Sequence, residues 1–156
     1  MSVYVKDYKM TIRYAKPNDL KPLVELLKLH AAYEEASVNF DKKVNLLETY
    51  LFSHVPALKC LVVDDEGELV GYATFMEQFS TWNTGFYIYL DCLFLKEATR
   101  GQGVGASIMD TIKAYAQSKN CDTIEWQTPS FNKRAITFYE KLGAKHKAKA
   151  RFFWSV

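Results

Sequence analysis

The residue types best suited to chemistry crowd into Arg100-Gly101-Gln102-Gly103-Val104-Gly105-Ala106, where three glycines alternate between an apolar, strand-like segment and an amphipathic stretch of helical period. This spacing predicts a phosphate site. Backbone without Cβ atoms lets N–H groups turn toward an anion at close range, and the helix that starts there adds its positive end. Arg100 supplies a fork of further donors.

Two cofactor classes use such loops, because Gly101, Gly103 and Ala106 also satisfy the dinucleotide pattern G-x-G-x-x-G/A. That pattern needs its first glycine tight against the first strand of a repeating βαβ unit, with several strands to follow. Here the apolar segment ends at Leu95, residues 96–100 intervene, and only about fifty residues remain after the glycines. Asp122 stands near the spacing of a ribose-binding acid, yet it opens the next strand-like run. No Gly-Lys-Ser/Thr follows the glycines, which excludes a P-loop.

A second segment, Asn132-Lys133-Arg134-Ala135-Ile136-Thr137-Phe138-Tyr139-Glu140-Lys141-Leu142-Gly143-Ala144, follows one helix and one strand later. Together the two segments resemble the GNAT superfamily of N-acetyltransferases, and the resemblance covers most of the chain. It implies acetyl-CoA as co-substrate and no metal. The loop residues Arg100, Gly101, Gln102, Gly103, Val104, Gly105 and Ala106 would hold the pyrophosphate. Leu93, Phe94 and Leu95 would pair with the pantetheine amides as a further strand does, and Asn132, Ala135 and Tyr139 would lie beside the cofactor.

Within the superfamily, Tyr89-Leu90-Asp91-Cys92-Leu93-Phe94-Leu95 looks most like the spermidine/spermine (diamine) branch, which carries Glu-Asp where this chain has Asp91-Cys92. Aspartate is one methylene shorter, so the amine proton has two routes to it, direct or through water. By the same resemblance Tyr33 and Glu34 line the amine pocket with Asp91, and Tyr139 protonates the departing thiolate. A phenol with an ordinary pKa near 10 suits a thiolate of similar basicity. Residue types alone leave alternatives open: Tyr139 as core, Asp91 as a backbone hydrogen-bonding partner, and Tyr33 and Glu34 as a solvated helix end. His30 reads as a packed or exposed helix residue.

Composition bounds the rest. A chain of 156 residues with 49% apolar and 15% aromatic residues supplies one domain, 1–156, with a full core. No apolar run approaches a membrane span, and Met1 to Lys6 has no apolar signal region, so the reading is a cytoplasmic protein without a membrane partner. Net charge +2 does not predict nucleic-acid binding. Cys60, Cys92 and Cys121 are odd in number and widely spaced, which reads as reduced packing thiols, with a nucleophilic Cys92 the less favoured reading. Lys145, Lys147, Lys149 and Arg151 alternate and would face one side of a strand, either a solvated edge, which is favoured, or a site for CoA phosphate.

Hydrophobic periodicity predicts a strand at 10–15, a helix capped by Asn18 or Asp19 that reaches Tyr33, and a helix beginning after Asp41 and ended by Pro56. Strands follow at 58–63, 69–77 and 86–95, the first two joined by a turn at Gly67. A helix at 103–118, a strand at 123–127, a helix at 133–142 and a strand at 150–155 complete the order. The expected fold is α/β (α+β), a mixed, mostly antiparallel sheet of six to seven strands flanked by about four helices. The resemblance adds a splay between the fourth and fifth strands. The activity expected is direct acetyl transfer, in a ternary complex, to a primary amine of a small polyamine-like or amino-acid-derived substrate. A protein or peptide amine and a catalytically weak CoA-binding sensor remain open. A homodimer would fit the family and the aromatic C-terminus Phe152-Phe153-Trp154.

Overall fold

The computed structural model describes residues 3–4, 9–40 and 44–156. Asp41, the expected starting point of the second helix, and most of the segment read for an export signal lie outside the described residues. Five strands carry a mixed sheet: β2 (Met10–Tyr14), β3 (Lys59–Asp65), β4 (Glu68–Ser80), β5 (Gly85–Leu95) and β6 (Ile124–Trp126). A two-residue strand, β1 (Val3–Tyr4), pairs with β2 at the outer edge. The order is β1-β2-β3-β4-β5-β6, antiparallel except for the parallel pair β5 and β6.

The β3–β4 hairpin forms because its two-residue loop, Glu66-Gly67, takes left-handed backbone at both positions (φ 52° and 97°), the conformation that matches strand twist. Asp64 Oδ1 accepts from the Gly67 N–H at 2.7 Å and holds the turn. Each face of the sheet buries its own apolar set. Helices α1 (Leu20–Tyr33) and α2 (Val44–Phe52) pack with Leu23, Leu26 and Leu51 against Cys60, Val62, Tyr72 and Phe94. Helix α3 (Val104–Ser118) covers the other face with Ile108, Met109 and Ile112 against Leu61, Val63, Phe75 and Ile88, and Phe138 and Tyr139 of α4 (Lys133–Lys141) join that side. No described helix is long and apolar enough to cross a membrane.

Two irregularities in the sheet position the site. Along β4 and β5 the register runs Phe75↔Leu90 and then Thr74↔Cys92, so Asp91 is an extra residue opposite no partner. Such a bulge inverts which residues face which side: Ile88 and Leu90 point toward α3, and beyond it Leu93 and Leu95 do, leaving Cys92 and Phe94 on the α1 side. The parallel ladder also stops there, with Leu90↔Trp126 the last pair. From Asp91 onward, the edge of β5 that faced β6 is uncovered by that strand, at the place where the resemblance puts the splay.

Three expectations are corrected. The sheet has five principal strands where six to seven were expected, because residues 144–156 form no strand. The lysines of that segment therefore share no sheet edge, and Phe152, Phe153 and Trp154 stay at least 90% exposed. Asp19 stands at the N-cap position of α1, but its side chain makes no capping hydrogen bond. Its carboxylate takes two bonds from the Arg13 guanidinium (2.7 and 3.0 Å) and one from the Lys16 N–H, since a charged fork is a stronger partner than a single amide. Arg13 also grips Asp64 at 2.8 Å and so ties β2 to the hairpin.

Candidate functional site

Beyond Leu95 a 3₁₀ turn, Glu97–Thr99, lets the chain reverse into the glycine loop. Gly101 and Gly103 have φ of +83° and +79°, which a residue with a Cβ enters only with strain. Gly103 is the N-cap of α3, so the first N–H groups of a 15-residue helix, which have no partner within it, open onto the loop. Gly105 differs. It lies inside α3, buried, where a Cβ would fall 3.0 Å from the Phe138 ring, so this third glycine lets α3 approach α4. Gln102 turns its side chain back to the Ala98 carbonyl (2.7 Å), leaving its backbone for a ligand. Val104 is buried and Ala106 half-buried in the first turn of α3. The fit for a pyrophosphate is two left-handed glycines, a helix N-terminus and an adjacent guanidinium.

Arg100 itself bends back toward the end of α1. Its Nε donates to the Leu95 carbonyl at 2.8 Å, and its guanidinium lies over the rings of Tyr33 (4.5 Å) and Phe94 (5.6 Å). Of the segment expected to meet pantetheine, Leu95 thus already has its carbonyl engaged. Phe94 is buried against His30, while Leu93 lies against the opposite core.

The bulge turns Asp91 to the surface at the uncovered edge, where its Oδ2 accepts from Thr74 Oγ1 at 3.3 Å and lies 3.7 Å from Cys92 Sγ. Burial first, and the Asp91 charge next, push the Cys92 thiol up to about 11. It is a protonated packing thiol at neutral pH and not a nucleophile.

Tyr139 packs on Trp126 (4.9 Å) and Phe138 (5.0 Å). Burial first, and the charge of Glu34 next, raise its phenol to about 12, so it keeps its proton through the neutral range. Asn132 caps α4, accepting the Ala135 N–H (3.1 Å), and the Tyr33 hydroxyl donates to the same oxygen at 3.3 Å. These bonds commit the Asn132 oxygen and the Ala135 amide to the helix end. They also fasten α4 to α1.

Two members of the cluster had no assigned role in the sequence reading, Tyr72 and the packed helix residue His30. His30 joins Tyr72 and Glu34, with Nδ1 2.7 Å from Tyr72 Oη and Nε2 3.4 Å from Glu34 Oε1. The link to Glu34 has the local i,i+4 spacing, whereas the link to Tyr72 crosses 42 residues of chain and leaves no local pattern. Asp91, Cys92, Glu34, His30, Tyr33, Tyr72, Arg100 and Tyr139 form one connected neighbourhood around the uncovered edge of β5.

Residues 23–144 match the model of the Acetyltransferase (GNAT) family. A thialysine N-epsilon-acetyltransferase from Bos taurus is 32% identical over 142 residues, covering 86% of this chain and 83% of that protein. Spermidine/spermine N(1)-acetyltransferase-like protein 1 from Homo sapiens is 27% identical over 85% of this chain, although the match spans 20% of that longer protein. The crystal structure of an aminoglycoside acetyltransferase from an uncultured soil metagenomic sample superposes with a TM-score of 0.79 over 98% of this chain and 99% of that one. At 17% identity, the likeness speaks to the fold.

Proposed function

The chain belongs to the GNAT family of N-acetyltransferases, and on that footing we propose that it moves an acetyl group from acetyl-CoA directly to a primary amine of a small polyamine-like or amino-acid-derived substrate. The observation that carries this reading is the bulge at Asp91. It sets a carboxylate at the uncovered edge of β5, in the same neighbourhood as the protonated Tyr139 phenol and the Glu34 carboxylate.

Acetyl-CoA supplies an activated thioester. The chain's residues then divide the remaining work. Tyr33 offers a ring face and Glu34 a negative charge, both attractive to an alkylammonium. Asp91 takes the proton that the ammonium must lose before its nitrogen can attack, directly or through a water. Tyr139 returns a proton to the sulfur as the C–S bond breaks. No side chain here has a nucleophile's arrangement of base and orienting partner, which favours direct transfer over an acetylated enzyme.

The names of the relatives, a thialysine N-epsilon-acetyltransferase and a spermidine/spermine N(1)-acetyltransferase-like protein, support a small amine. Free-thiol release with a panel of lysine analogues, D-amino acids, polyamines, aminoglycosides and peptides tests this reading. Turnover confined to peptides would overturn the small-molecule assignment, and no turnover with any amine would overturn the enzymatic one. The exposed Phe152-Phe153-Trp154 supports a homodimer, which light scattering of the full chain and of a chain ending at Arg151 checks.

A further inference from the structure

His30 has no part in the acetyl transfer described above, yet it is among the most constrained polar side chains of the site. Its side chain is 12% exposed, its ring stacks on Phe94 at 5.1 Å, and both ring nitrogens face oxygen partners from different elements. Tyr72 comes from the middle of β4 and is 1% exposed. Glu34 stands one turn further along α1 and is 35% exposed, so its carboxylate reaches the surface of the site.

Hydrogen-bonding capacity decides the direction of each link. An ionised carboxylate only accepts, so the hydrogen belongs on Nε2, which faces Glu34 Oε1 across 3.4 Å. In a neutral ring Nδ1 is then the acceptor, and the Tyr72 hydroxyl donates to it. The result is a one-way line, Tyr72 O–H to His30 Nδ1, His30 Nε2–H to Glu34, in which the buried tyrosine sets the tautomer and the tautomer sets the carboxylate. A carboxylate has about four acceptor positions. His30 uses one and leaves the others for a cation.

We propose that His30 is a positioning residue for the amine substrate: locked at Nδ1 by the Tyr72 hydroxyl, it holds the Glu34 carboxylate toward the acceptor opening, where that carboxylate receives the ammonium. This rests on the N-acetyltransferase reading and deepens it. Protonation reverses the arrangement, because an imidazolium cannot accept from Tyr72 and cancels the charge of Glu34. The titratable and charged groups facing the ring are Glu34 on α1, Tyr72 on β4, Asp91 and Cys92 on β5 and Arg100 from the glycine loop. Burial is the largest influence among them and holds the imidazole below its ordinary value. The ring is therefore neutral at pH 7, and the carboxylate keeps its full charge there.

The test combines kinetics with a readout that needs no turnover. In ¹⁵N-labelled full-length protein, His30 is identified by its loss in His30→Gln. It should show the Nε2–H tautomer at pH 7.5, and Tyr72→Phe should shift its Nδ1 resonance. With the amine that the wild type acetylates fastest, His30→Ala should raise the amine KM about tenfold, the scale of one hydrogen bond to a charged group. The acetyl-CoA KM should stay within about twofold. His30→Gln, which keeps a donor near Nε2, should recover most of the loss. The wild-type amine KM should rise between pH 7 and pH 5.5, and that of His30→Gln should rise less. An Nδ1–H tautomer, or an unchanged amine KM in both His30→Ala and Tyr72→Phe while the wild type turns over, overturns the inference alone. A wild type that binds acetyl-CoA but acetylates no amine overturns the functional reading and this inference with it.

Discussion

The Arg100 guanidinium lies 4.5 Å from the centre of the Tyr33 ring, a contact between the first residue of the glycine loop and the last residue of α1. On the proposed reading the loop would hold the cofactor and the end of α1 the amine, so one stacked pair would span both halves of the site. A planar guanidinium on a ring is attracted by about 0.5–2 kcal/mol depending on desolvation. Tyr33→Leu should therefore raise the acetyl-CoA KM severalfold even though Tyr33 sits on the amine side, whereas Tyr33→Phe, which keeps the ring, should change it by less than about twofold. Equal acetyl-CoA KM values in wild type and Tyr33→Leu would show that the stack does not couple the two.

Tyr139→Phe removes the phenol and keeps the packing on Trp126 and Phe138. Turnover should fall about 10²-fold with the acetyl-CoA Kd within about twofold, as expected when a proton donor is lost and binding is not. Comparing kcat with calorimetric acetyl-CoA binding separates the two, and an unchanged kcat would take Tyr139 out of the acid role.

Asp91 is held by Thr74 Oγ1 at 3.3 Å. If its carboxylate takes the amine proton, Asp91→Asn should depress the rate most at low pH, while Thr74→Val, which loosens the carboxylate but keeps its charge, should cost only a few-fold. A pH–rate profile of Asp91→Asn parallel to that of the wild type assigns the proton to another group.

The glycines of the loop should part company under substitution. Gly103→Ala meets no neighbouring atom but is forced into left-handed backbone, so its cost is roughly 1 kcal/mol of stability together with weaker acetyl-CoA binding. Gly105→Ala pushes on Phe138 at 3.0 Å, and overpacking there should cost about 1–3 kcal/mol. Urea midpoints and acetyl-CoA titrations of the two variants check the division.

The Asp19 and Asp64 carboxyls are held below the usual carboxylate range, first by their hydrogen bonds to Arg13. The folded protein thus binds fewer protons than the unfolded chain. Their contribution is complete above about pH 4 and is lost as pH falls further through the lowered values. Arg13→Met should flatten the fall in the urea midpoint between pH 4 and pH 2.5. Loss of stability between pH 7 and pH 5, in contrast, is expected from the lowered imidazole of His30 and should persist in Arg13→Met.

The order of elements from residue 10 to residue 142, the glycine loop and the helix that follows Asn132 and carries Tyr139 were legible in the sequence because each rests on local pattern: apolar residues at a period of 2 or 3.6, glycines where backbone must turn left-handed, a cap before a helix. The strand expected at 150–155 was not formed. The parity of β5 was not legible. Strict alternation would put Ile88, Leu90, Cys92 and Phe94 on one face, and the inversion at Asp91 exists only because Thr74 and Phe75 pair with residues two apart.

What the sequence by itself determined is the family, carried by the glycine loop and the Asn132 to Ala144 segment. Tertiary structure decided which side chains meet. His30 joins Tyr72 and Glu34, and Arg100 lies on Tyr33, because α1 packs on the face of the sheet to which the bulge turns Cys92 and Phe94. His30 to Tyr72 and Arg100 to Tyr33, made across 42 residues or more of chain, leave no period or spacing to read, since they depend on register and on which face each helix covers.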